Sequence, residues 1–215
     1  MTPFYWAIRA TVKCLSSLLH RHRSYGVKGL PKGGAILAAN HASHLDPCLI
    51  GISAKEGIHY LARQTLFDPP FLNWLIRKLN AHPISREGAD LSSIKMIVGL
   101  LQEGDKVVIF PEGTRTRDGG LQPAEGGVAM LSMRSGTPII PIYIHGTYGV
   151  WGRSRKRPKL LGKTACIFGR PIYPKEYAAL PKKEAQKLVT DRMMRAIDAL
   201  HKWYLAGAKG PLPES

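Results

Sequence analysis

Acidic residues are scarce in this chain, and the scarcity is local: none occurs before Asp46, and none between Glu125 and Glu176. Across all 215 residues, 31 Lys and Arg face 15 Asp and Glu, a net charge of +16. A balance this basic favours an anionic partner: nucleic acid, an acidic membrane surface, an acidic protein or a phosphorylated substrate. The acid-free stretches concentrate it, first at Arg9, Lys13, Arg21, Arg23, Lys28 and Lys32, then at Arg153, Arg155, Lys156, Arg157, Lys159 and Lys163. No helix-turn-helix, zinc-finger or RNP-type signature accompanies them, and aromatics do not interleave them as stacking platforms. No nucleic acid is therefore expected among the partners.

Cysteine is also sparse. Cys14, Cys48 and Cys166 are scattered and odd in number, so neither a disulfide framework nor a CxxC metal site is indicated. No apolar run approaches the ~18 residues of a membrane-spanning helix, which excludes a multi-pass membrane protein. Hydrophobic content of 44% and charged content of 21% are ordinary for a globular chain, and the length suits one core domain with appendages. We divide it into an N-terminal helical segment at 1–24, a main domain at 25–206 and a frayed tail at 207–215.

The N-terminal segment is written as a helix. Thr2 and Pro3 suit the N-cap and first helical positions. Phe4, Ile8, Val12, Leu15 and Leu19 then share one face, while Arg9, Lys13, Ser16 and His20 share the other. An apolar face with aromatics, Trp6 among them, opposite a basic face is the pattern of an interfacial helix on anionic lipid. A helix packed on its own domain has the same pattern. Arg9 and Lys13 interrupt the apolar core that a signal peptide needs.

Beyond Gly33, apolar runs alternate with helical spacings. Strands are expected at 35–39, 58–62, 82–85, 106–110, 138–144 and 165–168. Helices are expected at 47–53, 69–79 (capped by Asp68), 91–101, 124–134 and 182–205. The alternation implies an α/β fold, a mainly parallel mixed sheet flanked by helices. Ligands of such sheets bind beyond the carboxyl ends of the strands. Phe67, Phe71, Trp74 and Leu75 could line an acyl tunnel or fill the core, and core is the preferred reading.

Two strand ends carry chemistry. The first is Asn40-His41-Ala42-Ser43-His44-Leu45-Asp46-Pro47. His41 and Asp46 at this spacing cannot share a helical face. In a loop, however, the chain can fold back so that the carboxylate meets the imidazole, fixing its tautomer and stabilising the imidazolium formed when His41 takes a proton. Asp46-Pro47 also reads as a helix cap, and both roles are compatible. His41, His44 and Asp46 could be read as metal ligands, but no further His or Cys cluster completes a shell, and no metal is expected. Ser43 lacks the strained elbow of a serine nucleophile.

The second loop is Phe110-Pro111-Glu112-Gly113-Thr114-Arg115-Thr116-Arg117. Arginine forks suit a phosphomonoester through bidentate charge-assisted hydrogen bonds, and Glu112 can accept from substrate hydroxyls.

Together the two loops resemble the HxxxxD acyltransferases of glycerolipid synthesis, in particular the 1-acylglycerol-3-phosphate (lysophosphatidate) acyltransferases. Asn40-His41-x-Ser43-x-x-Asp46 resembles the catalytic block, and Phe110 to Thr116 the acceptor-binding block. Pro83-Ile84-Ser85-Arg86 resembles the intervening block, and Ile139-Ile140-Pro141-Ile142 the last. Where the family usually has a Phe-Lys-x-Gly segment, this chain has Pro123-Ala124-Glu125-Gly126-Gly127.

The resemblance implies acyl transfer from acyl-CoA or acyl carrier protein to the free hydroxyl of lysophosphatidate, without cofactor or metal. His41 would be the general base, oriented by Asp46. Glu112, Gly113, Thr114 and Arg115 would hold the glycerol-phosphate part, with Arg86 as a further phosphate ligand. The basic segments around 9–23 and 153–163 would hold the protein on anionic lipid at the cytoplasmic face of a bacterial inner membrane. The rival readings are a related acyltransferase with another acceptor, a metal-dependent hydrolase and a non-catalytic basic binding module.

Overall fold

A computed structural model describes residues 1–84 and 90–214. Helix α1 (Pro3–Leu19) leads into a short strand, β1 (Arg23–Tyr25), and then β2 (Ala35–Ala39). There follow α2 (Asp46–Ser53), β3 (Ile58–Arg63), α3 (Pro70–Lys78), β4 (Ala81–Ile84), α4 (Leu91–Gln102) and β5 (Lys106–Ile109). The chain closes with α5 (Gly127–Ser135), β6 (Ile139–His145), α6 (Thr147–Trp151), β7 (Ala165–Phe168) and α7 (Lys182–Leu205). This is the expected α/β architecture.

The seven strands form one sheet in the order β1-β7-β6-β2-β5-β3-β4. All neighbours are parallel except β6 and β7, which pair antiparallel. Every residue of β2 is buried, as an inner strand covered on both faces requires. One face carries α4, α5 and α7 over Ile36, Val107, Ile139 and Ile167. The other carries α2 over Leu37, Val108, Ile140 and Phe168, with α1 laid on α2. Pro141 is tolerated in an inner strand because the β6–β7 pairing begins at Ile142 opposite Phe168, so its missing N–H falls where the ladder stops. Its carbonyl still accepts from Gly169 N at 2.8 Å.

Helix ends follow local chemistry. Thr2 caps α1 through Tyr5 N, and Asp90 caps α4 through Ser93 N at 2.7 Å. Asp68 caps nothing: a 3-10 turn at Gln64–Phe67 intervenes, and Pro69 takes the cap position of α3. Helix α5 starts at Gly127, later than expected, because Glu125 N is engaged by Pro111 O at 2.7 Å.

Four expectations are corrected. The strand Arg23–Tyr25 pairs with β7, so a boundary at 24/25 cuts an element; three half-polar residues leave no strand signature. Residues 207–214, expected to fray, make contacts with the domain. Trp203 Nε1 donates to Lys209 O at 3.1 Å, Leu212 packs on the core, and Glu214 pairs with Arg170 at 2.8 Å.

Third, the inward face of α1 takes Tyr5, Arg9 and Ser16 beside Val12, while Leu15 of the expected apolar stripe is exposed. The Arg9 guanidinium donates to Gly51 O at 2.8 Å, to Ile52 O and to Ala54 O, satisfying the carbonyl end of α2 where a cation is favoured. That demand turns a basic residue inward and leaves Trp6, Leu15 and Leu18 exposed. Last, only Phe67 of the expected core aromatics is buried; Phe71 and Trp74 are 73% and 50% exposed and stack on one another.

Candidate active site

Strand order places the two motif loops side by side. β2 and β5 are parallel neighbours, with Ala38 opposite Ile109, so the loops leaving their carboxyl ends meet. Asn40 continues β2 with its side chain: Nδ2 donates to Ile144 O at 3.2 Å and Oδ1 accepts from Ile144 N at 2.7 Å. The amide thereby mimics one more ladder pair with β6 and fixes the backbone entering His41.

The loop then folds back as its spacing requires. His41 Nδ1 lies 2.8 Å from Asp46 Oδ2. The same oxygen accepts from the backbone N–H groups of Ala42 and Ser43, at 2.7 Å each. Asp46, fully buried, is the first residue of α2, but the expected capping role is not seen: Leu45 takes the cap position and no side chain caps the helix. A carboxylate only accepts hydrogen bonds, so Nδ1 carries the proton and Nε2 is left for proton exchange. The His41 ring stacks on Phe110 with 3.9 Å between centroids, which fixes its plane from the β5 side. Ser43 Oγ donates to Trp151 O at 2.8 Å and accepts from Leu45 N; it is a brace rather than a nucleophile. His44 packs against Trp151 instead of joining a ligand set, and burial followed by the nearby Arg115 charge lowers its pKa.

The acceptor loop is hydrogen-bonded to the first. Thr116 N donates to His41 O at 2.8 Å, and His41 N donates to Glu112 Oε1 at 3.3 Å. Burial pushes the Glu112 carboxyl up to about 7, against the pull of backbone donors from His41 and Gln122. Glu112 Oε2 is buried with no hydrogen-bond partner among the described residues. Gly113 adopts φ +65°, and a Cβ there would sit 2.6 Å from a Glu125 carboxylate oxygen.

A cavity of about 640 Å³ opens beside His41, Gly113, Thr114 and Arg115, a size typical of small-ligand sites. Its polar lining includes His41, His44, Thr114, Arg115, Arg63 and Arg153. Its apolar lining comes from Ile8 and Val12 of α1, Ile52 of α2, Leu61 of β3, Leu66, and Ile76 of α3. Burial first, then the charges of Arg153 and Arg63, lowers the pKa of Arg115, as expected where guanidiniums converge. Arg153 Nη1 also donates to Arg115 O at 3.4 Å.

The family model described as Acyltransferase matches residues 21–145, more than half of the chain. The chain belongs to the acyltransferase family. It is 30% identical to the 1-acyl-sn-glycerol-3-phosphate acyltransferase of Bacillus subtilis, over 88% of this chain and 92% of that one. It is 26% identical to a chloroplastic 1-acyl-sn-glycerol-3-phosphate acyltransferase of Brassica napus, over 78% of this chain and 49% of the relative, so it spans about half the length of that plant protein. In fold it is similar to PlsC, the 1-acyl-sn-glycerophosphate acyltransferase of Thermotoga maritima, with a TM-score of 0.74 over 96% of this chain and 83% of that one, at 23% identity.

Of the acyltransferase's expected site residues, His41, Asp46, Glu112, Gly113, Thr114 and Arg115 are brought into one neighbourhood. Arg86 lies outside the described residues. Arg63 and Arg153 were not anticipated as site residues. Arg63 ends β3 at the carboxyl edge, where the topology rule could have found it. Arg153 reaches the cavity because Ser43 bridges to Gly152, a pairing without a sequence signature.

Proposed function

We propose that this acyltransferase moves a fatty acyl group from a thioester, acyl-CoA or acyl carrier protein, to the free sn-2 hydroxyl of lysophosphatidate, giving phosphatidate. The observation that carries the reading is the single cavity lined by His41 and Arg115 at one set of loops and by apolar side chains of α1, α2 and α3. A substrate with a phosphate, a hydroxyl and a long chain matches all three features.

His41 Nε2 takes the proton of the acceptor hydroxyl as its oxygen attacks the thioester carbonyl carbon. Asp46, held by three donors, keeps the ring oriented and stabilises the imidazolium. Collapse of the tetrahedral adduct breaks the C–S bond, and the leaving thiolate recovers the proton from His41. The step needs neither a cofactor nor a metal. Arg63, Arg115 and Arg153 would hold the phosphate through charge-assisted hydrogen bonds, with Arg86 as a further ligand. Glu112, expected to hold substrate, is buried outside the cavity lining and instead supports the His41 backbone through Oε1. Gly113 and Thr114 shape the turn beside it.

Acceptor and product reside in a bilayer. Among the described residues, no helix is long and apolar enough to cross a membrane. We place the protein peripherally on anionic lipid, at the cytoplasmic face of a bacterial inner membrane, through the outward Trp6, Leu15 and Leu18 of α1 and Phe71 and Trp74 of α3. Acyl transfer from a long-chain acyl-CoA and from acyl carrier protein tests the reading, with lysophosphatidate, glycerol 3-phosphate and uncharged monoacylglycerol as acceptors. Phosphatidate as the dominant product supports it; preference for glycerol 3-phosphate or monoacylglycerol overturns the assigned acceptor.

A further inference from the structure

Leu160 and Leu161 are adjacent, 71% and 67% exposed, and sit in the most basic part of the chain. Arg155, Lys156, Arg157 and Lys159 precede them, and Lys163 follows. No acid occurs between Glu125 and Glu176, and among the described residues none of these cations forms an ion pair. Two large apolar side chains held in water beside unneutralised cations are the signature of a surface completed by something else.

The segment is braced. Arg155 N donates to Gly152 O at 3.0 Å and Lys159 N to Val150 O at 2.9 Å. On its far side, Gly162 N donates to Leu19 O at 3.2 Å and Thr164 N to His20 O at 3.0 Å. The leucines are thus tied to the last turn of α1, whose Leu15 and Leu18 are exposed as well. The other end of the basic segment is Arg153, at the cavity that His41 lines.

We propose that residues 153–163 form a second lipid contact, in which Leu160 and Leu161 insert into an anionic leaflet while Arg155, Lys156, Arg157 and Lys159 hold its headgroups. The proposal deepens the reading above, since it rests on a membrane-borne acceptor. A bilayer fits both halves of the motif, because hydrocarbon takes the leucines and the headgroup layer takes the cations. An acidic protein would match the cations alone. The consequence is positional: a contact hydrogen-bonded to α1 on one side and ending at Arg153 on the other brings the cavity mouth to the leaflet that holds the acceptor.

The test uses the whole chain and vesicles of phosphatidylcholine with or without phosphatidylglycerol. Leu160→Ser/Leu161→Ser is expected to weaken partitioning onto the phosphatidylglycerol vesicles at least about tenfold, equivalent to about 1.4 kcal/mol. Arg155→Gln/Lys156→Gln/Arg157→Gln/Lys159→Gln is expected to abolish most of the preference for the anionic vesicles. With the leucine variant, kcat/KM should fall in parallel for vesicle-borne lysophosphatidate and stay unchanged for a short-chain, water-soluble lysophosphatidate. Unchanged partitioning of the leucine variant overturns the proposal. So does an equal loss on the soluble acceptor, which would move the leucines into the reaction site. Loss of binding to acyl carrier protein with vesicle binding intact reassigns the surface to a protein. If the wild type transfers acyl groups to neither acceptor, the functional reading fails, and partitioning alone still decides this one.

Discussion

The oxygen of Asp46 that meets His41 Nδ1 at 2.8 Å also accepts from Ala42 N and Ser43 N at 2.7 Å each. One buried carboxylate oxygen therefore closes the loop and orients the ring at once. Asp46→Asn removes the charge that favours the imidazolium and puts an amide donor within reach of three other donors. We expect kcat to fall at least about 100-fold, the lower end of what a positioned acid–base group contributes. Unfolding should be easier by about 1–3 kcal/mol. Steady-state kinetics and urea midpoints check both, and near-normal kcat would contradict the orienting role.

Glu112 gives stability a pH slope of known sign. Burial raises its carboxyl from 4.5 to about 7. Between those values the folded chain keeps a proton that the unfolded chain has released, so this group's contribution falls as pH rises across the window. Glu112→Gln stays neutral throughout. The stability of the variant relative to wild type should therefore grow between about pH 4.5 and 7, read by denaturant midpoints at several pH values. Parallel curves would mean that the carboxyl titrates normally.

Gly113→Ala meets two obstacles, a positive φ of 65° and the Glu125 carboxylate 2.6 Å from the new Cβ. The backbone cost is about 1 kcal/mol or more and falls on the turn carrying Arg115, whereas the exposed Glu125 carboxylate ends a flexible side chain that swings aside cheaply. KM for lysophosphatidate should rise more than kcat falls. Adding Glu125→Ala should recover little, because the backbone term dominates. Full recovery in the double variant would show that the contact with Glu125 sets the cost.

Arg153 is tied to Arg115 by a hydrogen bond to its carbonyl and to the catalytic loop through the Ser43–Gly152 bridge. As a phosphate ligand it should matter only when a phosphate is present. Arg153→Gln is expected to lower kcat/KM for lysophosphatidate by at least about tenfold, as the loss of one charge-assisted hydrogen bond implies. Monoacylglycerol turnover should be unaffected. Equal loss on both acceptors would assign Arg153 a structural role.

The parts of this molecule that could be read from sequence are those set by short-range chemistry. The period of α7, the buried run of β2 and the cap at Thr2 each follow from residues within a few positions. The fold-back of His41 on Asp46 could likewise be anticipated, because a loop of that length leaves few other partners. The inward turn of Arg9 could not, since its cause is the carbonyl end of α2, far along the chain. Hydrophobic spacing placed Val12 inward but put Arg9 and Ser16 on the outer face. β1 was invisible because its partner strand, β7, supplies the order that its own polar residues do not. Arg63 was within reach of the strand-end rule, whereas Arg153 lines the cavity only because Gly152 is bridged to Ser43.

The central claim is that His41 is the base for acyl transfer, and the most direct measurement compares wild type with His41→Ala on acyl-CoA and lysophosphatidate. Circular dichroism establishes that the variant is folded. Phosphatidate is expected from the wild type, and a rate at least about 100-fold lower from His41→Ala. Phosphatidate at comparable rates from both would remove His41 from the mechanism.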